Sequence, residues 1–268
     1  MLEGGFDDSG THDRSDVVVW GGVMGDTDWF AKLDEPWKRL LDEPIPGKPP
    51  IKQFHHSKLS GSLDEFASYR PPERDLAIKA FRDVVIASRL VPVSFSVVLA
   101  DWDRHITGKY REIWGTAEQF AFISCIVAAM RMSTISKAPV ALCFDAARLQ
   151  DSRGPMIAAA RGFYPGSNVE FRFNKVQDDV GLQAADLVAY EAYLLSLQVV
   201  RDGTEDCRPH FRRFLEGAPD AHGFIFRERE IRPLKDMTDA FIKNDELVLA
   251  GQGGFQSVYH TFFSQDGV

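Results

Sequence analysis

The sequence predicts an α/β fold in which helices flank a mixed central sheet. Two observations lead to this prediction. First, short β-branched and apolar runs at 17–24, 91–99 and 139–144 alternate along the chain with longer apolar segments of helical length. Second, the run at 139–144 is apolar at every position, which is typical of a strand with both faces covered by other elements. Together they indicate a layered α/β arrangement.

The first part of the chain is predicted to begin with strands. A weak, glycine-interrupted strand at 2–8 precedes the clearer strand at 17–24, and a helix over 28–41 follows. Residues 43–50 are rich in proline and are therefore predicted to form a loop. A short strand is predicted at 51–55.

The middle of the chain carries recognisable helix starts. Pro71, Pro72 and Glu73 place proline and an acid in a first turn, so a helix is predicted over 71–88, followed by the strand at 91–99. Thr116 is expected to cap a long apolar helix that ends near residue 133. The remaining predicted elements are the strand at 139–144, a helix over 152–161, a strand at 169–173, a helix over 180–198 and a helix over 233–241. Residues 1–200 are predicted to form the main domain, and 201–268 an extension packed on or beside it.

The composition is that of a soluble globular protein. Hydrophobic residues make up 44% of the 268 residues and charged residues 26%. The formal net charge of −8 argues against broad, non-specific binding of nucleic acid, which usually requires a basic surface. The longest apolar run, 120–130, is far shorter than the roughly 20 residues of a spanning helix, so no membrane association is expected. Three widely spaced cysteines favour a reducing, cytoplasmic location.

Acidic residues stand at the ends of apolar elements, where a carboxylate is unusual. Asp7 and Asp8 close the first strand, Asp145 follows the run at 139–144, and Asp186 lies within a helix that is apolar on nearly every face. An isolated buried carboxylate costs several kcal/mol or takes up a proton, so each needs a partner. Carboxylates brought together repel one another, and a divalent cation such as Mg²⁺ or Mn²⁺ is the usual resolution.

Simpler interpretations of these acids remain open at the level of sequence. Asp145 is explained equally well as a turn or helix cap, and Asp7 and Asp8 before Ser9 and Gly10 suit an ordinary turn. Asp186 would be satisfied by an arginine. The joint pattern of the acids favours a shared site.

Two motifs resemble a known family. Residues 6–10 (Phe-Asp-Asp-Ser-Gly) resemble the N-terminal Asp-Glu-Ser-Gly motif of the domain-of-unknown-function 3800 family. Residues 181–190 (Gly-Leu-Gln-Ala-Ala-Asp-Leu-Val-Ala-Tyr) resemble its C-terminal motif, in which Leu-Gln-x-Ala-Asp begins a helix. The similarity spans roughly residues 6–195. It implies a ribonuclease H-like fold and a metal-dependent nuclease activity.

The resemblance also implies roles for individual residues. Asp7, Asp145 and Asp186 match the family's strand-end, middle and helix aspartates, and Asp8 stands where the family usually has Glu. These four acids would hold Mg²⁺ or Mn²⁺. The wider ribonuclease H-like group also uses a Glu on a central helix, which makes Glu118 a further candidate, although a first-turn Glu is often only a favourable partner of the helix dipole.

Nucleic acid is the substrate that a two-metal site of this kind would take, with one cation activating a water and another stabilising the leaving oxygen. Lys52, His55, His56 and Lys58, together with Arg212 and Arg213, are candidate contacts to its backbone, and one of the two histidines could instead assist proton transfer. The simpler explanation is a solvated basic turn for the first cluster and, because acids interleave with the arginines, a mixed charged surface for the second. The sequence leaves the choice of DNA or RNA and the oligomeric state undetermined.

Two other functional classes compete with the nuclease. The loop after Asp7 looks superficially like the nucleophile loop of haloacid dehalogenase phosphatases, but that loop needs a second Asp where this chain has Ser9. The stronger alternative is a non-catalytic ribonuclease H-like protein that binds or scaffolds partners in a mobile element or a defence system, because one fold hosts many functions.

Overall fold

The computed structural model describes residues 1–12, 14–147, 150, 153–163, 167–204, 209–217 and 222–243. These residues form an α/β protein built on a six-stranded mixed sheet. The strands are β1 (Leu2–Ser9), β2 (Val17–Asp26), β3 (Val91–Val98), β4 (Val140–Asp145), β5 (Val169–Asn174) and β6 (His222–Phe226). The helices are α1 (Thr27–Asp42), α2 (His56–Gly61), α3 (Pro71–Ala87), α4 (Leu99–His105), α5 (Lys109–Trp114), α6 (Ala117–Ser136), α7 (Arg153–Phe163), α8 (Val180–Asp202), α9 (Pro209–Gly217) and α10 (Glu228–Lys243).

The sheet has the order β5-β4-β1-β2-β3-β6. β2 is antiparallel to both β1 and β3, whereas β4 runs parallel to β1 and β5 parallel to β4. Phe6 on β1 stands beside Phe144 on β4 in this register. The following residues, Asp7 and Asp145, are therefore neighbours at the edge where the two parallel strands end.

Helix α8 covers one face of the sheet at unusually close range. A Cβ atom added to Gly5 would lie 2.8 Å from the Gly181 carbonyl oxygen, and one added to Gly21 would lie 2.9 Å from the Cα of Ala189. The two glycines thus permit the close approach of the helix to β1 and β2. This explains why β1 is a strand despite its glycines, which made it the weakest of the predicted strands.

Helix α6 covers the opposite face. Phe122 on this helix packs against Trp20 and Phe144, with ring centroids 4.8 Å away in both pairs. α6 is also the one helix in the described part of the chain that is long and apolar enough to cross a membrane. Most of it is buried inside the protein, in the core on that face of the sheet.

The predicted strand at 51–55 is wrong. The segment is extended at His55, but its backbone amides bond to groups outside any strand. Ile51 donates to the Leu41 carbonyl, Lys52 to the Glu65 carboxylate and Phe54 to the Gln183 side chain. The apolar pattern of the segment therefore reflects burial against helices rather than pairing in a sheet.

The region after residue 200 contributes to the sheet. β6 pairs in parallel with β3 and forms the edge opposite β5. The helix predicted over 233–241 is present as the longer α10, which contacts α4. Residues 244–268 of the predicted extension lie outside the described residues.

Candidate functional site: a buried carboxylate cluster

Asp7, Asp145 and Asp186 lie on the α8 side of the sheet, and the charges of Asp186 and Asp145 act on Asp7. Asp7 follows Gly5 by two positions and so shares its face, which lies under α8. Asp145 likewise shares the face of Cys143, whose thiol donates to Asp179 at the N-terminus of α8. Asp186 comes from α8 itself. The structure thus brings together the strand-end, middle and helix acids singled out in the sequence.

One oxygen of each aspartate is held by a backbone amide. The Asp8 amide donates to Asp7 Oδ1 at 2.9 Å, and the Ala147 amide donates to Asp145 Oδ1 at 3.1 Å. The His56 amide donates to Asp186 Oδ2 at 2.6 Å. These bonds orient the carboxylates. The bond to Asp145 agrees with the turn-cap interpretation of that residue. The ordinary turn suggested for Asp7 and Asp8 is wrong, because both residues belong to β1 and pair with β2. Asp186 takes an amide and a histidine as partners, and the arginine considered from the sequence is not among its recorded contacts in the described residues.

The environment of Asp7 opposes the ionised form of its carboxyl group. Its side chain is only 8% exposed, and burial raises its pKa well above the ordinary value for an aspartate. The neighbouring charges of Asp186, Asp8 and Asp145 raise the pKa of Asp7 further, in that order, while the hydrogen bond from the Asp8 amide partly opposes the shift. The site therefore disfavours the charge that Asp7 would carry at neutral pH, which is the situation that a bound cation relieves.

His55 and His56 form the wall of the site opposite β1. His55 Nδ1 lies 3.4 Å from Asp186 Oδ1, and this contact is the main cause of the raised pKa of His55. His56 is fully buried, with its ring nitrogens 2.8 Å from Glu191 Oε1 and 3.0 Å from the Ser60 hydroxyl. The predicted contact of His56 with a phosphate is therefore wrong for this arrangement, because its ring does not reach the surface.

The sequence interpretation missed Glu191 as a member of the site, and it considered His55 only as a contact to phosphate or a proton-transfer group, not as a partner of Asp186. Glu191 had a detectable signal, since it is a second acid in the same apolar helix, five residues after Asp186. The Glu191 side chain is almost completely buried, and its carboxylate pairs with the buried His56 ring. The contact of His55 with Asp186 had no such signal, because it depends on how the 51–55 segment docks on α8.

The other predicted residues lie elsewhere. Asp8 points to the face opposite Asp7 by strand alternation and accepts a hydrogen bond from Thr11. Glu118 is half-buried in the first turn of α6, on that same opposite side of the sheet. Arg212 and Arg213 are exposed on α9.

Lys52 and Lys58 line a cleft of about 370 Å³ next to the cluster. The other residues of its lining are Gln53, His55, Asp64, Glu65 and Gln177. Lys58 pairs with Asp64 at 2.9 Å, whereas Lys52 is exposed at the rim. His55 lines this cleft and also contacts Asp186.

The donor types of the cluster suit a hard cation such as Mg²⁺ or Mn²⁺, which prefers carboxylate oxygen. The pKa of Asp7 is raised first by burial and then by the neighbouring carboxylates, and a cation bound there would oppose both effects. The positions of these side chains suit a bound cation less well than their chemistry does. Within the described residues, no three His, Cys, Asp or Glu side chains converge closely enough to hold a metal ion as they stand. Binding of a cation would therefore require these side chains to move.

Comparison with known proteins does not assign a family. No family model matches the sequence, and no curated protein is significantly similar to it.

Proposed function

We propose that the chain is a ribonuclease H-like, metal-dependent nuclease that hydrolyses phosphodiester bonds at the carboxylate cluster. The observation that carries this proposal is the burial of Asp7 beside Asp186 and Asp145. Three acids from two strands and a helix are held together at a cost that a divalent cation would offset. A purely structural role would be met more cheaply by apolar or amide side chains at the same positions.

The topology supports the ribonuclease H-like assignment. β1, β2 and β3 pair in antiparallel fashion along one side of the sheet. β4 then pairs in parallel with β1, and β5 in parallel with β4, which is the arrangement expected of that fold. The positions of Asp7, Asp145 and Asp186 in β1, β4 and α8 are consistent with the resemblance to the domain-of-unknown-function 3800 family, and we propose membership on that basis.

Asp7, Asp145 and Asp186 would hold the cation. A divalent cation bound by these residues would supply an activated water and would neutralise charge on the phosphodiester. The chain itself contributes orientation, since the amides of Asp8, Ala147 and His56 fix one oxygen of each carboxylate. Asp7 and Asp186 are largely buried, and charge interactions are stronger at such positions than in bulk water.

A second candidate function is supported by one observation. Because no three ligands converge among the described residues, the cluster also suits a protein of the same fold that has no catalytic cation and acts by binding or scaffolding. Nucleic acid remains the proposed partner in either case.

Cleavage of labelled single-stranded DNA, RNA and duplex DNA in Mn²⁺, Mg²⁺ or EDTA tests the nuclease. We expect cleavage that EDTA abolishes. Asp186→Asn should lower its rate at least about 100-fold, equivalent to about 2.7 kcal/mol of transition-state stabilisation. Asp103→Asn is the matched control, because Asp103 is an exposed aspartate paired with Arg111 on α5, away from the cluster. Cleavage that survives EDTA or the Asp186 substitution would refute the mechanism, and no cleavage of any substrate would favour the binding protein.

A further inference from the structure

A buried histidine connects Asp186 to the second acid of α8. The His56 amide donates to Asp186 Oδ2 at 2.6 Å, and His56 Nε2 lies 2.8 Å from Glu191 Oε1. The His56 side chain is fully buried, and the Glu191 side chain is 1% exposed. One residue of the 51–56 segment therefore contacts both acids, one through its backbone and the other through its ring.

The ring of His56 is held in one orientation by its neighbours. An ionised Glu191 carboxylate only accepts hydrogen bonds, so His56 Nε2 donates to it. His56 Nδ1 lies 3.0 Å from the Ser60 hydroxyl on the next turn of α2, and the Tyr190 ring packs beside the imidazole with a centroid distance of 4.6 Å. Turning the ring away from Glu191 would break a hydrogen bond between two buried groups, which is costly because neither gains water in exchange.

The backbone of the segment is fixed together with the ring. The Phe54 amide donates to the Gln183 side chain of α8 at 3.0 Å, two residues before the His56 amide reaches Asp186. Gln183 is buried and also accepts a hydrogen bond from the Trp37 indole. Because the amide nitrogen and the ring of His56 are joined through the same Cα atom, a displacement of the anchored ring would displace the amide.

The His56 amide in turn sets the orientation of Asp186. Asp186 Oδ2 accepts this amide, whereas Oδ1 lies 3.4 Å from His55 Nδ1. The charge of Asp186 acts on Asp7 more strongly than that of the other neighbouring acids. A carboxylate fixed at one oxygen presents the other oxygen in a defined direction, which is the usual effect of residues that lie behind a metal ligand.

From these contacts we infer that Glu191 and His56 are positioning residues for Asp186. The buried Glu191–His56 pair holds the His56 amide in place, and this amide holds Asp186 in the orientation that the cation requires. Neither side chain contacts the cation or the phosphodiester. The inference rests on the proposed nuclease function and adds the residues that set the geometry of its metal site.

Replacing Glu191 by leucine or by glutamine tests the inference. Leucine accepts no hydrogen bond, whereas glutamine still offers an acceptor to His56 Nε2. NMR in EDTA follows the His56 amide proton and the Asp186 carboxyl carbon, which are assigned with the help of Asp186→Asn. We expect both signals to move in Glu191→Leu and to stay near their wild-type positions in Glu191→Gln. In calorimetric titration, Glu191→Leu should bind Mn²⁺ about tenfold more weakly than wild type, as is usual when the partner of a metal ligand is lost.

A buried hydrogen bond in the core on the α6 side of the sheet provides the control for a general loss of stability. Thr238→Val removes the hydroxyl on α10 that accepts from Trp114 Nε1 at 3.0 Å. This variant should be less stable than wild type in urea unfolding. Its Asp186 signal and its Mn²⁺ affinity should nevertheless equal those of wild type.

Ser60→Ala is a second test that keeps the Glu191–His56 pair, and it decides the case if Glu191→Leu does not fold. It removes only the hydroxyl at His56 Nδ1 from a half-buried position. The His56 and Asp186 signals should move in the same directions as in Glu191→Leu, by smaller amounts. In the absence of a folded Glu191→Leu protein, unchanged signals in Ser60→Ala would overturn the positioning role.

The outcomes distinguish this inference from the proposed function. Unchanged His56 and Asp186 signals in folded Glu191→Leu, or equal displacements in Glu191→Leu and Glu191→Gln, overturn the positioning role. If wild type binds Mn²⁺ and cleaves nucleic acid but Glu191→Leu binds Mn²⁺ equally well, the positioning role fails and the proposed function stands. If the signals move as expected but wild type neither binds Mn²⁺ nor cleaves any substrate, the positioning of Asp186 stands and the nuclease proposal fails.

Discussion

Replacing Asp7 by asparagine should make the metal-free protein more stable at neutral pH. The carboxyl is almost fully buried, and the charges of Asp186, Asp8 and Asp145 surround it, so the folded state raises its pKa. Each unit of pKa shift corresponds to about 1.4 kcal/mol of stability. Asparagine removes the charge, and its Oδ1 can still accept the hydrogen bond from the Asp8 amide.

The magnitude follows from what a buried charge costs. Transfer of a charge from water to a partly paired site costs several kcal/mol, part of which the Asp8 amide already recovers. We therefore expect Asp7→Asn to gain about 1–3 kcal/mol at pH 7 in EDTA. That gain corresponds to about 2–4 °C in Tm for each kcal/mol in a protein of this size.

The pH dependence gives the sign of the effect. Because the folded pKa of Asp7 lies above the unfolded value of about 3.9, the unfolded chain gives up this proton first as the pH rises. The loss of stability caused by Asp7 is absent below about pH 3.9, grows until the pH passes the folded pKa, and is constant above it. The advantage of the asparagine variant should therefore be small in acid and full at neutral pH.

Urea unfolding of both proteins in EDTA, across the acid to neutral range, measures this difference. A variant that is less stable than wild type at pH 7, or a difference that does not grow with pH, would refute the electrostatic account of Asp7. Asp103→Asn, at an exposed position, should show neither effect.

Three further predictions concern the packing and charges around the cluster. His56→Ala should cost about 3–5 kcal/mol in urea unfolding, because it leaves the buried Glu191 carboxylate without its imidazole partner. Gly21→Ala should cost about 1–3 kcal/mol in the same assay, because the new methyl group would lie 2.9 Å from the Cα of Ala189. Asp186→Asn should lower the pKa of His55 in an NMR titration in EDTA, because the contact with Asp186 is the main cause of its elevation.

Each of these three predictions has a control variant or a result that would contradict it. Glu191→Gln keeps an acceptor for the His56 ring and should cost less than His56→Ala; an equal loss would contradict the pairing. Gly154→Ala adds a methyl group in open space within α7, so it should be neutral or stabilising. An unchanged His55 titration would show that Asp186 does not act on it. Because the fold raises the pKa of His55, protonated His55 stabilises the folded state. This contribution is full below about pH 6.5 and is lost as the pH rises through the folded pKa. Asp186→Asn should therefore also remove this contribution to stability.

The fold was predictable from the sequence wherever the apolar pattern was strong. The continuous run at 139–144 gave the central strand β4, and the apolar helices beginning at Ala117 and Val180 gave the two layers. The strand character of β1 was weaker, because its glycines serve the close packing of α8 and that contact is invisible in a single sequence.

The site was predictable only in part, for a similar reason. Asp145 and Asp186 stood out because a carboxylate at the end of a buried strand or within an apolar helix requires a partner. The partners themselves came from segments without a regular pattern. His55 reaches Asp186 because side chains and loops, rather than strands, satisfy the backbone of residues 51–56. Local propensity carries no information about such tertiary bonds.

The central claim is that the buried aspartates bind a divalent cation, and calorimetric titration of the protein with Mn²⁺ tests it most directly. We predict that wild type binds at least one Mn²⁺, that Asp7→Asn binds it at least about tenfold more weakly, and that Asp103→Asn binds as wild type does. At 100 times the Kd, the cation should also stabilise wild type by about 2.7 kcal/mol. Absence of Mn²⁺ binding by wild type, or equal affinity in wild type and Asp7→Asn, would contradict the claim.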